Sequence, residues 1–173
     1  MMIATRHGNF AVKKGDKLAG TRIIPLVIEE EKMEEAKKAA AEATGGCPIL
    51  ELKPFLHKMV GIVTTGNEVF YGRIKDTFTP VIRGKLSEFD TEVIDHVTWN
   101  DDDTKVTASI LDMIQKGADV VVCTGGMSVD PDDKTPLAIR NTGADIVSYG
   151  APVLPGAMFL LAYYQVKDGE NPR

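Results

Sequence analysis

Three short stretches of the chain carry residue types that could do chemistry together. Thr65–Gly66–Asn67–Glu68 follows one apolar run, and Asn100–Asp101–Asp102–Asp103 follows a second. Thr124–Gly125–Gly126–Met127–Ser128 follows a third and continues into Asp130–Pro131–Asp132–Asp133–Lys134–Thr135. Glycines let a backbone come close to a ligand, and successive exposed amides form a nest for an anion. The hydroxyls of Thr65, Thr124 and Ser128 can add donors to a phosphate or a pterin edge. Carboxylates on the same rim cannot bind phosphate directly. They fit either a divalent cation that bridges them to it or the N–H donors of a heterocycle. Phosphate-binding amides beside an acidic rim imply a phosphorylated ligand handled with magnesium. Each stretch also has a plainer reading. Thr-Gly-Gly after a strand is common loop chemistry, and at least one of Asp101–Asp103 suits a helix N-cap. Asp130–Asp133 suits a solvated turn, and Glu68 an ordinary surface charge. Position favours the chemical reading, because all the groups fall on one sheet edge where chance would scatter them over both ends.

The elements that must position these loops are legible as alternating strands and helices. Met59–Thr64 is a continuous apolar run of the kind a strand buried on both faces requires. Pro80, behind Thr79, opens a helix with Ile82, Leu86 and Phe89 on one face. Glu92–Val97 is the second strand. Asp101–Lys116 is a helix with Val106, Ile110 and Met113–Ile114 at helical spacing and aspartates at its positive end. Ala118–Cys123 is the third strand, and Pro136–Asn141 a short helix capped by Thr135. Asp145–Tyr149 follows as a fourth strand, and Met158–Tyr164 reads as core. This order predicts a doubly wound, three-layer α/β/α sandwich with a mostly parallel sheet, and such sheets bind ligands beyond the carboxyl ends of their strands.

Ahead of that pattern, residues 1–57 read as a small β-rich segment with one helix, and 58–173 as the α/β domain. Met2–Thr5, Phe10–Val12 and Arg22–Ile28 are strand-like runs, with Lys14–Gly15–Asp16 and Ala19–Gly20 as punctuation. Residues 29–43 are dense in helix formers, Gly45–Gly46 stops them, and Pro48–Leu52 reads as a short strand.

Composition sets the outer bounds. The chain has 173 residues, 43% hydrophobic and 26% charged, which is the profile of a soluble globular protein with a core of its own. A net charge of −5 excludes a nucleic-acid groove and leaves any anion site to local amides and cations. Cys47 and Cys123 lack zinc spacing and read as core or near-core residues. His7, His57 and His96 lie outside the three loops and read as structural or exposed, and Trp99 reads as a partly buried anchor. No membrane span or signal peptide is present, so the expected setting is cytoplasmic.

Taken together, residues 58 to about 160 resemble the molybdenum-cofactor biosynthesis domain. The resemblance rests on Thr65–Gly66–Asn67–Glu68–Val69, Gly72–Arg73–Ile74–Lys75–Asp76–Thr77, Asp101–Asp102, and Thr124–Gly125–Gly126–Met127–Ser128–Val129 with Asp133 and Thr135 behind it. The Thr-Gly-x-Glu and Gly-Gly-x-Ser-Val loops look like the molybdenum insertase branch. This likeness implies that molybdopterin, in adenylylated form, binds at the loops, that molybdate attacks with Mg2+ assistance, and that AMP leaves. It implies Glu68, Asp101 and Asp133 as catalytic carboxylates, with Glu68, Asp102 and Asp133 as metal ligands. Thr65, Gly66, Thr124, Gly125, Gly126, Ser128 and Thr135 would hold phosphate or pterin, together with Pro155 and Gly156 of the Leu154–Ala157 turn. That turn has no flanking lysine, and no second turn of the Gly-Leu-Pro-Gly type follows it. The expectation is therefore a fragment of a longer protein that binds molybdopterin weakly on its own. The likeness also implies a homo-oligomer, dimer or trimer. Asp132–Asp133–Lys134–Thr135 is similar in addition to a loop of the competence-damage-inducible nucleotide-processing proteins, and a non-catalytic carrier or sensor of the cofactor is the third reading.

Overall fold

The structure is a computed structural model that describes residues 2–128, 133–150 and 158–166. Asp130, Asp132 and the turn with Pro155 and Gly156 lie outside the described residues. The chain divides into two units, Met1–Lys53 and Pro54–Arg173.

In the first unit, β1 (Met2–Thr5) pairs antiparallel with β2 (Ala19–Arg22), Met2 opposite Arg22 and Thr5 opposite Ala19. The second strand thus falls on Ala19–Gly20, read from sequence as a turn, and Arg22–Ile28 is not a strand beyond its first residue. Phe10–Val12 and Pro48–Leu52 are not strands either. Propensity marked these runs, but a strand exists only where a ladder partner does, and β1 runs out of residues after four pairs. Helix α1 (Glu30–Ala43) ends as its composition demands: Gly46 N–H donates to the Ala41 carbonyl at 2.7 Å and closes the last turn.

The second unit is built on a parallel sheet of β3 (Lys58–Thr65), β4 (Thr91–Trp99) and β5 (Val120–Thr124), in the order β4-β3-β5. The first strand in sequence is therefore the central one, and its last six residues are all buried. Its two faces are covered by different helices. On one face Thr64 hydrogen-bonds Thr79 of α3 (Phe78–Leu86) at 3.1 Å. On the other, Val63 packs against Val106, Ile110 and Met113 of α4 (Asp103–Gln115) and Ala138 of α5 (Thr135–Asn141). Gly61 is small because α4 comes close: a Cβ there would sit 2.5 Å from the Met113 sulfur. Three layers, helix on sheet on helix, are the result, an α/β sandwich.

Helix starts are fixed by side chains. The Asp76 carboxylate accepts from the backbone N–H groups of Phe78 and Thr79, opening α3. Burial opposes its ionisation, but those bonds and the neighbouring His96 hold its carboxyl below the usual range. His96 is tied in through Thr64 and Thr79, a structural role. For α5 the cap position belongs to Lys134, and Thr135 is the first helical residue, since Thr135 N–H is drawn to the Gly126 carbonyl.

Strand β6 (Asp145–Tyr149) has the expected bounds but not the expected place: it pairs antiparallel with β7 (Leu160–Tyr163) instead of joining the parallel sheet. Only Ile146 of its five residues is partly buried, a one-sided pattern that suits an antiparallel ribbon and not a strand covered on both faces. The Met158–Tyr164 stretch is accordingly not core; Phe159 is 59% and Tyr163 62% exposed. Among the described residues, no helix is long and apolar enough to cross a membrane.

Candidate functional site

With β3 central, the chain leaves it on one side for β4 and on the other for β5, so the strand order reverses at its carboxyl end. Open α/β sheets bind ligands at such a point. The three loops meet there. From the β3 loop, Gly66 N–H donates to the Trp99 carbonyl at the end of β4, and the Asn67 side-chain amide donates to Asp101 at 2.7 Å. Toward β5, the Thr65 hydroxyl reaches the Thr124 carbonyl at 3.3 Å and the Thr135 hydroxyl at 2.9 Å. Gly125 is seated so close that a Cβ would lie 2.0 Å from the Thr65 carbonyl oxygen, at a φ of +88°. No other residue fits that spot.

The residues expected at the site have definite positions where they fall among the described ones, which excludes Pro155 and Gly156. Thr65 and Thr135 are buried and bonded to each other, and the Thr124 hydroxyl donates to Thr64 at 3.4 Å, so all three hydroxyls hold the loops together. Asp102 is the N-cap of α4, accepting from the backbone N–H groups of Thr104 and Lys105. The Thr104 hydroxyl bond, then the Lys105 amide and charge, hold its carboxyl below the usual range. Asp133 accepts from the Ser128 N–H at 2.8 Å. Glu68 is exposed in the first turn of the short helix α2 (Asn67–Phe70). Trp99 is anchored through its indole N–H to Ser109 at 2.7 Å and stacks on Phe70, centroids 6.1 Å apart.

A cavity of about 320 Å³ opens at this junction, lined by Asn67, Asn100, Asp101 and Lys134. Of these only Asp101 was expected from sequence. Asn67 and Asn100 sit inside the loops already singled out, but an amide carries no signal of its own beside glycines and carboxylates. Lys134 was hidden by a run of aspartates. The signal that could have found it is charge: an anion site in an acidic chain needs a local cation. One further feature is unusual. The Asn100 Oδ1 is shut off from solvent and has no hydrogen-bond partner among the described residues, a loss of about 1–3 kcal/mol for a buried acceptor.

A sequence profile described as a probable molybdopterin binding domain matches residues 61–165, which include all three loops. The chain belongs to that family. Among curated proteins, this molybdopterin-binding-family chain is similar to the CinA-like protein of Mycobacterium tuberculosis, 33% identical over 88 residues, half of this chain and a fifth of the relative. Among solved structures it is similar to the molybdopterin biosynthesis enzyme MoaB of Thermus thermophilus, 29% identical with a TM-score of 0.47, covering 49% of this chain and 54% of that one. It is similar also to the protein CinA of Thermoplasma acidophilum, 26% identical with a TM-score of 0.48, covering 51% and 54%. The chain thus spans only part of each relative's length.

The donor set fits one kind of metal binding. Among the described residues, no three His, Cys, Asp or Glu side chains converge as a cage. Magnesium at phosphate sites is commonly held by one or two carboxylates, water and the ligand's own phosphates. Asp101 lines the cavity and accepts from Asn67, Glu68 is exposed on α2, and Asp102 is engaged as a cap.

Proposed function

We propose that the second unit binds adenylylated molybdopterin at the switch point of its sheet and promotes Mg2+-dependent insertion of molybdate, releasing AMP. The single observation behind this reading is the cavity, which sets Lys134 beside Asp101 and two side-chain amides. A cation and carboxylate in one small cavity suit a ligand with an anionic end and an N–H-bearing end. Gly125 lets the β5 loop sit close against Thr65, and the Thr65, Thr124 and Thr135 hydroxyls tie the loops together. Glu68 and Asp101 would hold magnesium, which supplies charge neutralisation on the phosphate oxygens as AMP departs. Asp133 acts through the Ser128 amide it fixes, presenting that loop to the ligand.

A second reading, nucleotide processing of the competence-damage-inducible type, is favoured by the 33% identity to a CinA-like protein. The two separate in one assay. AMP release is measured from adenylylated molybdopterin with molybdate and magnesium, and in parallel from ADP-ribose. Insertion requires release from the first substrate, dependent on molybdate; faster release from ADP-ribose would favour the second reading. Glu68→Gln should lower turnover at least about tenfold with the melting temperature unchanged, because the side chain is exposed. Unchanged turnover in that variant would remove Glu68 from the mechanism, and ligand binding by the wild-type chain without AMP release from either substrate would make the unit a carrier. We further propose assembly as a homo-oligomer, supported by exposed Phe70, Tyr71, Ile74 and Phe78 on this unit and checked by sedimentation.

A further inference from the structure

We propose that Lys134 and Asn100 divide recognition of the ligand between them, Lys134 taking its phosphate and Asn100 accepting from an N–H of its ring. The inference rests on the molybdopterin-binding reading and assigns the two ends of that ligand to residues of this chain.

Both side chains line the same cavity. Lys134 is the only cation among its lining residues, it is exposed, and it forms no ion pair among the described residues. Lys105, by contrast, is already engaged, 3.6 Å from Asp102 and lying over the Trp99 ring. Lys134 is also well anchored at its base. It precedes Thr135, whose backbone N–H is held by Gly126 and whose hydroxyl is held by Thr65. A lysine presents a compact point charge on a flexible stem, which suits a phosphate whose exact position need not be dictated by a fork of donors. In a chain of net charge −5, a lysine lining a cavity is the local cation that an anionic ligand requires.

Asn100 contributes the complementary property. Its Oδ1 is buried without a partner among the described residues, and such atoms are rare in folded proteins unless something completes them. Asn100 sits where β4 ends, next to Asp101, whose carboxylate is held by Asn67. The amide torsion of asparagine is broad and roughly two-fold, so turning the amide exchanges its oxygen and nitrogen, and Asn100 lines the cavity where a donor would enter. A ring amine or ring N–H there would supply the missing donor. The phosphate needs the charge of Lys134, and the ring needs the carbonyl of Asn100.

Titration calorimetry on the full chain tests this with two probes, a stable oxidised pterin carrying a phosphate monoester and the same pterin after dephosphorylation. The wild-type protein should bind the phosphorylated probe more tightly. Lys134→Gln should weaken that probe about tenfold, leave the other within twofold, and so erase the difference; Lys134→Arg should restore most of it. Asn100→Ala should weaken both probes by a similar factor. The assignment is overturned if Lys134→Gln weakens both probes alike or neither, or if Asn100→Ala acts on the phosphorylated probe alone or on neither. Binding of neither probe by the wild-type chain would overturn the molybdopterin reading itself, whereas wild-type binding with the wrong variant pattern would overturn only this division of roles.

Discussion

The first unit and the second use the same alphabet of elements to different effect. Helix α1 spans 14 residues and buries none of them, and every residue of β1 and β2 is exposed. Helix α4 spans 13 residues and buries Val106, Ile110 and Met113, and β3 carries six buried residues in a row. The difference is not in propensity. Residues 30–43 are better helix formers than Asp103–Gln115, with three alanines in succession and paired Glu and Lys, including a Lys37–Glu34 contact at 2.6 Å. Such exposed pairs contribute a few tenths of a kcal/mol each. What the second unit has instead is a sheet whose two faces each meet a helix, and that is also what brings its loops to one edge. Local propensity makes a helix; burial makes a site.

The sharpest way to break this contrast is at Gly125. Ala at this position would combine a left-handed backbone with a Cβ 2.0 Å from the Thr65 carbonyl. The expected cost is on the order of 4 kcal/mol, backbone strain and overpacking together. Urea denaturation would read it as a lowered midpoint, and a cost under 1 kcal/mol would mean that the loops do not depend on that close approach.

Two methionines give a matched pair with a somewhat smaller effect. Met113 is fully buried against Val63 and Gly61, so Met113→Ala should cost about 3 kcal/mol. Met33, on α1, is only partly covered, and Met33→Ala should stay within about 0.5 kcal/mol because alanine is the better helix former. Comparable losses at the two positions would show that α1 is packed in solution, and the contrast between the units would fall.

The same contrast governs what could be read in advance. β3, α4 and β5 were legible because packing writes apolar runs and helical spacing into the residues themselves. By contrast, α3 starts at Phe78 and ends at Leu86, leaving Phe89, expected on its apolar face, outside it and exposed. Helix α1 was legible from propensity alone. The strands of the first unit were not: Phe10–Val12 looks as strand-like as Met2–Thr5, and only the pairing of Met2 with Arg22 distinguishes them. The partner of β6 was hidden for the same reason, since strand pairing is a property of two segments and Leu160–Tyr163 carries an apolar pattern that suits a core equally well. At the site, glycines and carboxylates announced the three loops. The division of labour among Thr65, Thr124 and Thr135 could not be seen, because a threonine hydroxyl that binds a ligand and one that ties loops together are written identically. Lys134 and Asn100 depend on which side chains share a cavity, and spacing along the chain does not contain that.

The two cysteines test the contrast without changing stability at all. Cys47 lies in the first unit and is exposed, whereas Cys123 lies on β5, packed at the edge of the α4 cluster. Burial pushes the Cys123 thiol up to about 12, and the thiolate is the species that alkylating reagents attack. At pH 8 in the folded protein, iodoacetamide should therefore label Cys47 at least about tenfold faster than Cys123, as mass spectrometry of the digested protein would show, and the two rates should converge in denaturant. Equal rates in the native protein would mean that β5 opens to solvent on the timescale of labelling. That would remove the third loop from a fixed position, and with it the rigid edge on which the binding reading depends.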